Sequence, residues 1–203
     1  NMTDQSIALR EKMKNEYNIT WPKVYKKFAS SLDETVKYLI ELSDGNIVET
    51  VLMSYEHGYS ICISTQVGCR MGCRFCASTM DGLIRNLTPS EIEGQVRAVS
   101  DDSGKRISSI VVMGIGEPMD NYDNLVAALR ALNNPDGMGI GIRHITVSTC
   151  GLPEGIKRLT EENLPVTLAL SLHAPTDEIR KTIMPAAKMA TIEELVELTD
   201  NSA

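Results

Sequence analysis

From residue 59 onward, strand-length apolar runs alternate with helix-length amphipathic segments, and this repetition constrains the fold more than anything else in the chain. Residues 59–65, 107–113, 144–148 and 166–172 read as strands, and the second is a continuous apolar run of the kind buried on both faces of a sheet. Between them lie helices with clear start signals. Thr88-Pro89-Ser90-Glu91 is a capping box with proline at the first helical position, and it opens a helix with Ile92, Val96 and Val99 on one side. Asp120 or Asn121 is expected to cap a helix carrying Leu125, Val126, Leu129 and Leu132. Further helices are expected over 153–162 and 177–184, and from Thr191 onward. Successive βα units with right-handed crossovers predict an α/β fold around a parallel sheet. A full barrel, a partial barrel and an open doubly wound sheet satisfy the pattern equally.

The segment before this repeat has different periods. Over residues 5–32 the spacing of Leu9, Met13 and Tyr17 predicts a short helical appendage. Residues 35–53 alternate as a hairpin. Val36, Tyr38, Ile40 and Leu42 share one face, the turn falls at 43–46, and Ile47, Val51 and Met53 are the expected returning apolar positions. The division implied is a helical N-terminal segment over 1–34 and a hairpin-plus-βα body over 35–203.

The first strand of the repeat runs into Gly68-Cys69-Arg70-Met71-Gly72-Cys73-Arg74-Phe75-Cys76. Three thiols at Cys-x3-Cys-x2-Cys spacing, with no fourth close by, suit a cubic iron–sulfur cluster that keeps one iron open. An open iron can chelate a small molecule and pass it an electron. Two other readings compete: a structural zinc site completed by His57 or His173, and chance. Zinc sites usually pair two Cys-x2-Cys elements, and only one such pair is present.

Composition narrows the setting. No apolar run approaches a membrane span, and no signal-peptide pattern is present, so a cytoplasmic location is expected. Four of the five cysteines fall between Cys62 and Cys76, which suits a reducing compartment better than a disulfide framework. The net charge of −7 argues mildly against a nucleic-acid partner. Against that, Lys12, Lys14, Lys23, Lys26 and Lys27 cluster near the N-terminus and Arg70, Arg74 and Arg85 surround the cysteines. Either group reads equally well as a solvated face.

In parallel βα folds chemistry sits at the carboxyl ends of the strands, and the unusual residues collect there. The second strand ends in Gly114-Ile-Gly116-Glu117-Pro118, where glycines permit close backbone approach and Glu117 can accept an ammonium. The third ends in Ser148-Thr149-Cys150-Gly151, and the fourth in Ser171-Leu172-His173. Singly, each is more often a loop residue or a cap; four together on one rim are harder to dismiss. Cys62 lies inside the first strand on the face opposite Ile61 and Ile63; unaided, it reads as a buried small side chain. Cys150 reads as an inert packing thiol.

Several of these segments, in order, resemble one family. Cys62-Ile-Ser-Thr-Gln-Val-Gly-Cys69-Arg-Met-Gly-Cys73-Arg-Phe-Cys76-Ala is followed by Arg85-Asn-Leu-Thr-Pro-Ser-Glu-Ile and Met113-Gly-Ile-Gly-Glu-Pro-Met-Asp-Asn. His144-Ile-Thr-Val-Ser-Thr-Cys-Gly and Leu170-Ser-Leu-His-Ala-Pro-Thr-Asp-Glu-Ile-Arg continue the match over roughly residues 33–184. Together they resemble the radical S-adenosylmethionine (SAM) RNA adenine methyltransferases, which methylate C2 of an adenosine in 23S ribosomal RNA and in some tRNAs; a close relative acts on C8. The resemblance implies a radical SAM partial (βα) barrel preceded by the hairpin and the helical appendage. It also implies a 4Fe-4S cluster and SAM as cofactors, RNA as substrate and an electron donor such as flavodoxin.

Carried over by position, Cys69, Cys73 and Cys76 correspond to the cluster ligands. Gly116, Glu117, Ser148, Ser171, Leu172 and His173 correspond to SAM-binding positions, Glu49 to the proton acceptor and Cys62 to the resolving cysteine. In that chemistry one SAM methylates a second cysteine near the C-terminus and another is cleaved to a radical that activates it. Cys62 then helps release the product, and nearby arginines are expected to make its thiolate easy to form. The sequence departs from the pattern after Met184-Pro185, and no cysteine follows Cys150. The expectation is therefore a chain that lacks the methyl carrier and is inactive alone, with an open sheet edge prone to association. The alternatives are a radical SAM protein acting on another substrate and a non-catalytic metal-binding module that docks on RNA.

Overall fold

In the computed structural model, which describes residues 4–16 and 21–200, the core is one seven-stranded sheet. Its strands are β1 (Lys23–Ala29), β2 (Val36–Glu41), β3 (Ile47–Tyr55), β4 (Gly58–Cys62), β7 (Ile107–Val112), β8 (Ile145–Thr149) and β9 (Thr167–Leu170), in that spatial order. The first four pair antiparallel; β4, β7, β8 and β9 then pair parallel, as the βα repeat predicts. A separate ribbon, β5 (Gln66–Gly68) with β6 (Leu83–Asn86), closes the long connection after β4. The helices are α1 (Ile7–Glu16), α2 (Pro89–Ser103), α3 (Tyr122–Asn133), α4 (Pro153–Glu161), α5 (Asp177–Ile183) and α6 (Ile192–Asp200).

The alternation of the strands decides which face is buried. Tyr38, Ile40, Val48, Leu52, Ile61, Ile110, Val112, Ile145 and Val147 form one continuous core with Val96 and Val99 of α2 and Leu125 and Leu129 of α3. The opposite face carries Lys37, Glu49, Val51, Cys62, Val111, Thr146 and Ser148, all exposed or half-buried. That asymmetry leaves one side of the sheet free for chemistry.

Three expectations need correction. The helical reading of 5–32 holds only for α1, which buries no residue; Tyr17 lies outside the described residues, and Lys23–Ala29 is a strand paired to β2. Pro22 ends any helical run at that point, and the sheet starts ahead of residue 35. In the hairpin the returning buried positions are Val48, Thr50 and Leu52 rather than Ile47, Val51 and Met53. The turn sets Ile40 opposite Val48 and Tyr38 opposite Thr50, and a one-residue change of register reverses the face. Finally, Asn121 precedes α3 without capping it; its amide donates to the carbonyls of Thr65 and Leu87, 2.8 Å each, and so ties two loops together.

The capping box of α2 forms as expected: Thr88 Oγ1 accepts from Glu91 N and Glu91 Oε2 from Thr88 N. From the same helix, fully buried Gln95 accepts from Thr50 Oγ1 and Ser64 N, and donates to the carbonyls of Ser64 and Glu91. One side chain thereby satisfies the break where β4 leaves the sheet.

Candidate active site

The cysteine loop leaves β5 at Gly68, whose φ of +73° belongs to the left-handed region. A Cβ there would sit 2.0 Å from the Gly82 carbonyl oxygen, so glycine alone lets the loop fold back on its own exit. The loop is pinned at both flanks. Arg70 donates to the Asp120 carboxylate, and Arg74 N donates to Ile183 O (2.9 Å) at the end of α5. Cys69 and Cys73 are buried, and Cys76 is half-buried. Burial pushes the thiols of Cys69 and Cys73 upward, with further upward contributions from Glu117 and from the neighbouring cysteines.

All three thiols line one cavity of about 280 Å³ at the carboxyl ends of the parallel strands. Its other walls include Gly116, Glu117, Ser148, Ser171 and His173. Four strand ends that are far apart in sequence therefore meet at one place. Ser148 and Ser171 lie side by side on β8 and just after β9, with hydroxyl oxygens 3.1 Å apart. His173 is held with φ +56° and leans on Phe75 of the cysteine loop, ring centres 4.7 Å apart. Gly116 (φ +109°) lies so close to Gln66 and Thr65 that a Cβ would come within 2.7–2.8 Å of them. Leu172 is half-buried beside these residues and is absent from the cavity wall.

Glu117, the expected ammonium acceptor, is also held by three internal hydrogen bonds. Its Oε1 accepts from Met119 N and Thr149 Oγ1 and its Oε2 from Cys150 N, at 2.7–3.0 Å. These bonds lock the ends of β7 and β8 together, while the side chain also lines the cavity. Burial still drives its pKa upward despite those donors. Cys150 is buried against Cys73 and Met184, and desolvation plus the adjacent Glu117 carboxylate raise its pKa far above the usual thiol range, in keeping with an inert thiol.

Glu49 and Cys62 stand off the cavity wall, on the open face of the sheet. Val51 is the Cα partner of Cys62, so Glu49, two residues along β3, lies diagonally across from it. Met113 joins the two regions: its backbone N–H opposes the upward shift of the Cys62 thiol, and its side chain lines the cavity. Glu49 is ion-paired with Lys37 (3.0 Å). Burial raises the Cys62 pKa, contrary to the expected easy thiolate. The arginines invoked for that effect are otherwise engaged, Arg70 with Asp120 and Arg85 with Asp44 and Glu91. Several lysines are likewise neutralised by Glu16, Glu11 and Asp102.

The sequence profile of the Radical SAM superfamily matches residues 63–201. The chain belongs to the radical SAM superfamily. Among curated relatives it is similar to the probable dual-specificity RNA methyltransferase RlmN of Clostridium novyi (strain NT), at 52% identity over 196 residues covering 97% of this chain and 57% of that one. The protein of the same description from Lachnoclostridium phytofermentans is 52% identical over 199 residues, covering 98% and 56%. The chain thus spans a little over half the length of the curated relatives it matches. Its fold matches the crystal structure of a radical SAM methyltransferase from Sphaerobacter thermophilus with a TM-score of 0.90 at 39% identity, over 99% of this chain and 60% of that one.

Radical SAM proteins carry a 4Fe-4S cluster and SAM, and the donor set here fits such a cluster. A lone zinc ion needs its ligands converging about 2.3 Å from one point. Among the described residues no three His, Cys, Asp or Glu side chains converge in that way. The three thiols instead surround a shared cavity, as ligands to separate corners of a cube must. His57 cannot complete the set, because it stacks on Tyr55 (5.3 Å) at the β3–β4 turn, the opposite end of β4 from the loop. Sequence reasoning did not anticipate Phe75, Met113 and Met184 on the cavity wall, nor the wholly buried Arg180 of α5 behind it, which donates to the Cys150 carbonyl. Arg180 closes the Leu170-Ser-Leu-His-Ala-Pro-Thr-Asp-Glu-Ile-Arg segment, but among Asp177, Glu178 and Lys181 on the same short helix nothing in the sequence singles it out for burial.

Proposed function

We propose that the chain is the hairpin-plus-radical-SAM portion, with residues 1–34 as an accessory segment, of a cytoplasmic enzyme that methylates C2 of adenosine in 23S ribosomal RNA and in tRNA. The observation that carries this reading is the single cavity in which Cys69, Cys73 and Cys76 face Ser148, Ser171 and His173 across converging strand ends. The likeness to proteins described as dual-specificity RNA methyltransferases, over nearly the whole chain, supports the substrate class.

In this reading Cys69, Cys73 and Cys76 hold the cluster. When bound, the cluster and SAM supply the one-electron cleavage that activates a methyl group, the electron coming from a donor such as flavodoxin. Gly116 presents backbone to SAM, Ser148 and Ser171 offer adjacent hydroxyls, and His173 closes the far wall, with Leu172 beside it in the chain as a SAM-binding position. Glu117 fixes the floor, a positioning role given its internal bonds. Glu49, diagonal to Cys62 on the open face, accepts the proton lost from the adenine ring. Cys62 would resolve the protein–RNA link: its thiolate attacks the methyl-carrying sulfur to form a disulfide, and the electron pair of the broken carbon–sulfur bond leaves with the product carbon, which takes up a proton to become the methyl group.

The test has two arms. Cys73→Ala in the reconstituted chain should lose most of its iron and the brown absorption that responds to SAM; normal iron content would sink the proposal. In the full-length parent, Cys62→Ala should retain iron but accumulate a protein–RNA adduct on a denaturing gel. Undiminished 2-methyladenosine from that variant would remove Cys62 from the mechanism.

A further inference from the structure

Arg180 is the largest side chain with no exposed surface among the described residues. Its Nη2 donates to the Cys150 carbonyl at 2.6 Å, while its Nε and Nη1 have no hydrogen-bond partner. Among the described residues it forms no ion pair. A guanidinium cannot shed its proton to escape burial, and an uncompensated buried charge is strongly unfavourable. Folding around Arg180 therefore needs a negative charge nearby.

Glu117 accepts from the Cys150 N–H while Arg180 donates to the Cys150 carbonyl, and no ion pair joins the two side chains. The cysteine loop lies on the other side. Arg74 N bonds to Ile183 O at the end of Arg180's own helix, and Met184 packs in one cluster with Cys73 and Cys150. Cys150, whose carbonyl takes the Arg180 hydrogen bond, packs in that same cluster with Cys73.

We propose that Arg180 is the buried counter-charge of the iron–sulfur site, a positioning residue that stabilises the electron the cluster accepts. The three thiolates of Cys69, Cys73 and Cys76 make the oxidised cluster assembly a net anion. One electron from a low-potential one-electron donor adds a further negative charge with no bond made or broken. Arg180 cannot move away or be screened by water, so it favours the reduced state and raises the reduction potential. The inference rests on the cluster assignment alone and is independent of which RNA, or which other substrate, is modified.

The test is a redox titration of the anaerobically reconstituted chain, following the reduced cluster by electron paramagnetic resonance. Arg180→Met keeps the length and removes the charge. At equal iron content it should cut the ratio of reduced to oxidised cluster at least tenfold at a fixed potential, a downward shift of about 59 mV for one electron. Arg180→Lys should recover most of that shift. An unchanged midpoint in Arg180→Met would overturn the proposal. If Arg180→Met holds no iron, loading by Arg180→Lys still supports a charge requirement, whereas failure of both variants assigns Arg180 to packing and overturns it. A wild-type chain that carries no cluster would instead defeat the cluster assignment itself.

Discussion

At the scale of single residues, this protein places charge where several elements must be held at once. Arg85 on β6 donates to Asp44 in the β2–β3 turn (2.6 Å) and through both terminal nitrogens to Glu91 in the first turn of α2 (2.8 and 2.9 Å). Its hydrogen bond lowers the Asp44 pKa; for Glu91, burial pulls upward but Arg85 and Thr88 outweigh it, so that carboxyl also falls. A carboxylate with a depressed folded pKa contributes stability above its unfolded value, about 3.9 for Asp and 4.3 for Glu, and loses it as pH falls through the folded value. Arg85→Met should therefore cost about 2 kcal/mol at pH 7, mostly through Glu91, because Asp44 is 39% exposed and screened. Urea unfolding should show the gap between wild type and variant narrowing once the pH falls below about 4, and closing only below the folded values of the two carboxyls. A gap as large at pH 3 as at pH 7 would assign the loss to packing. The same residue shows a limit of sequence reading: a basic side chain beside the cysteines looks like an RNA contact until its two carboxylate partners are visible.

Among the elements, α2 carries its instructions locally and the hairpin does not. Thr88-Pro89-Ser90-Glu91 defines a helix start by chemistry between residues three apart, so its cap was legible in advance and forms as read. Thr88→Ala should destabilise the protein by about 1 kcal/mol, and Thr88→Ser by much less, in chemical denaturation. Equal losses for the two would show that the hydroxyl cap is not what holds the helix. In β3, by contrast, Ile47, Val51 and Met53 looked as suitable for burial as Val48, Thr50 and Leu52. The choice was made by pairing with β2 and by Gln95, which meets the Thr50 hydroxyl from α2. A buried threonine becomes favourable only when its partner, 45 residues away, arrives.

For the molecule as a whole, the parallel sheet has two unlike margins. The antiparallel strands β3, β2 and β1 extend it past β4, whereas β9 pairs with β8 alone among the described residues. Beside β9 lies a hollow of about 530 Å³ walled by Leu159, Leu164, Val166 and Leu168. An unpaired strand edge next to apolar surface invites pairing. The 203-residue chain is therefore expected to associate with rising concentration in sedimentation velocity, and Val166→Lys to reduce that association. A strictly monomeric chain at high micromolar concentration would contradict this.

What the sequence determined by itself was everything encoded over short spans: the βα succession, the helix caps, and three thiols on a loop whose spacing calls for an iron–sulfur cluster. Those follow from backbone period, local hydrogen bonding and ligand count, none of which needs a distant partner. Only the tertiary structure decided that Lys23–Ala29 is a strand, that Glu117 ties Thr149 to Cys150, and that Arg180 is buried without an ion pair. Each of those depends on which groups from remote segments share a low-dielectric interior, where one hydrogen bond or one unpaired charge outweighs local preference. The cavity belongs to both levels: its thiols were set by the loop, and the serines and histidine facing them were brought there by the order of the strands.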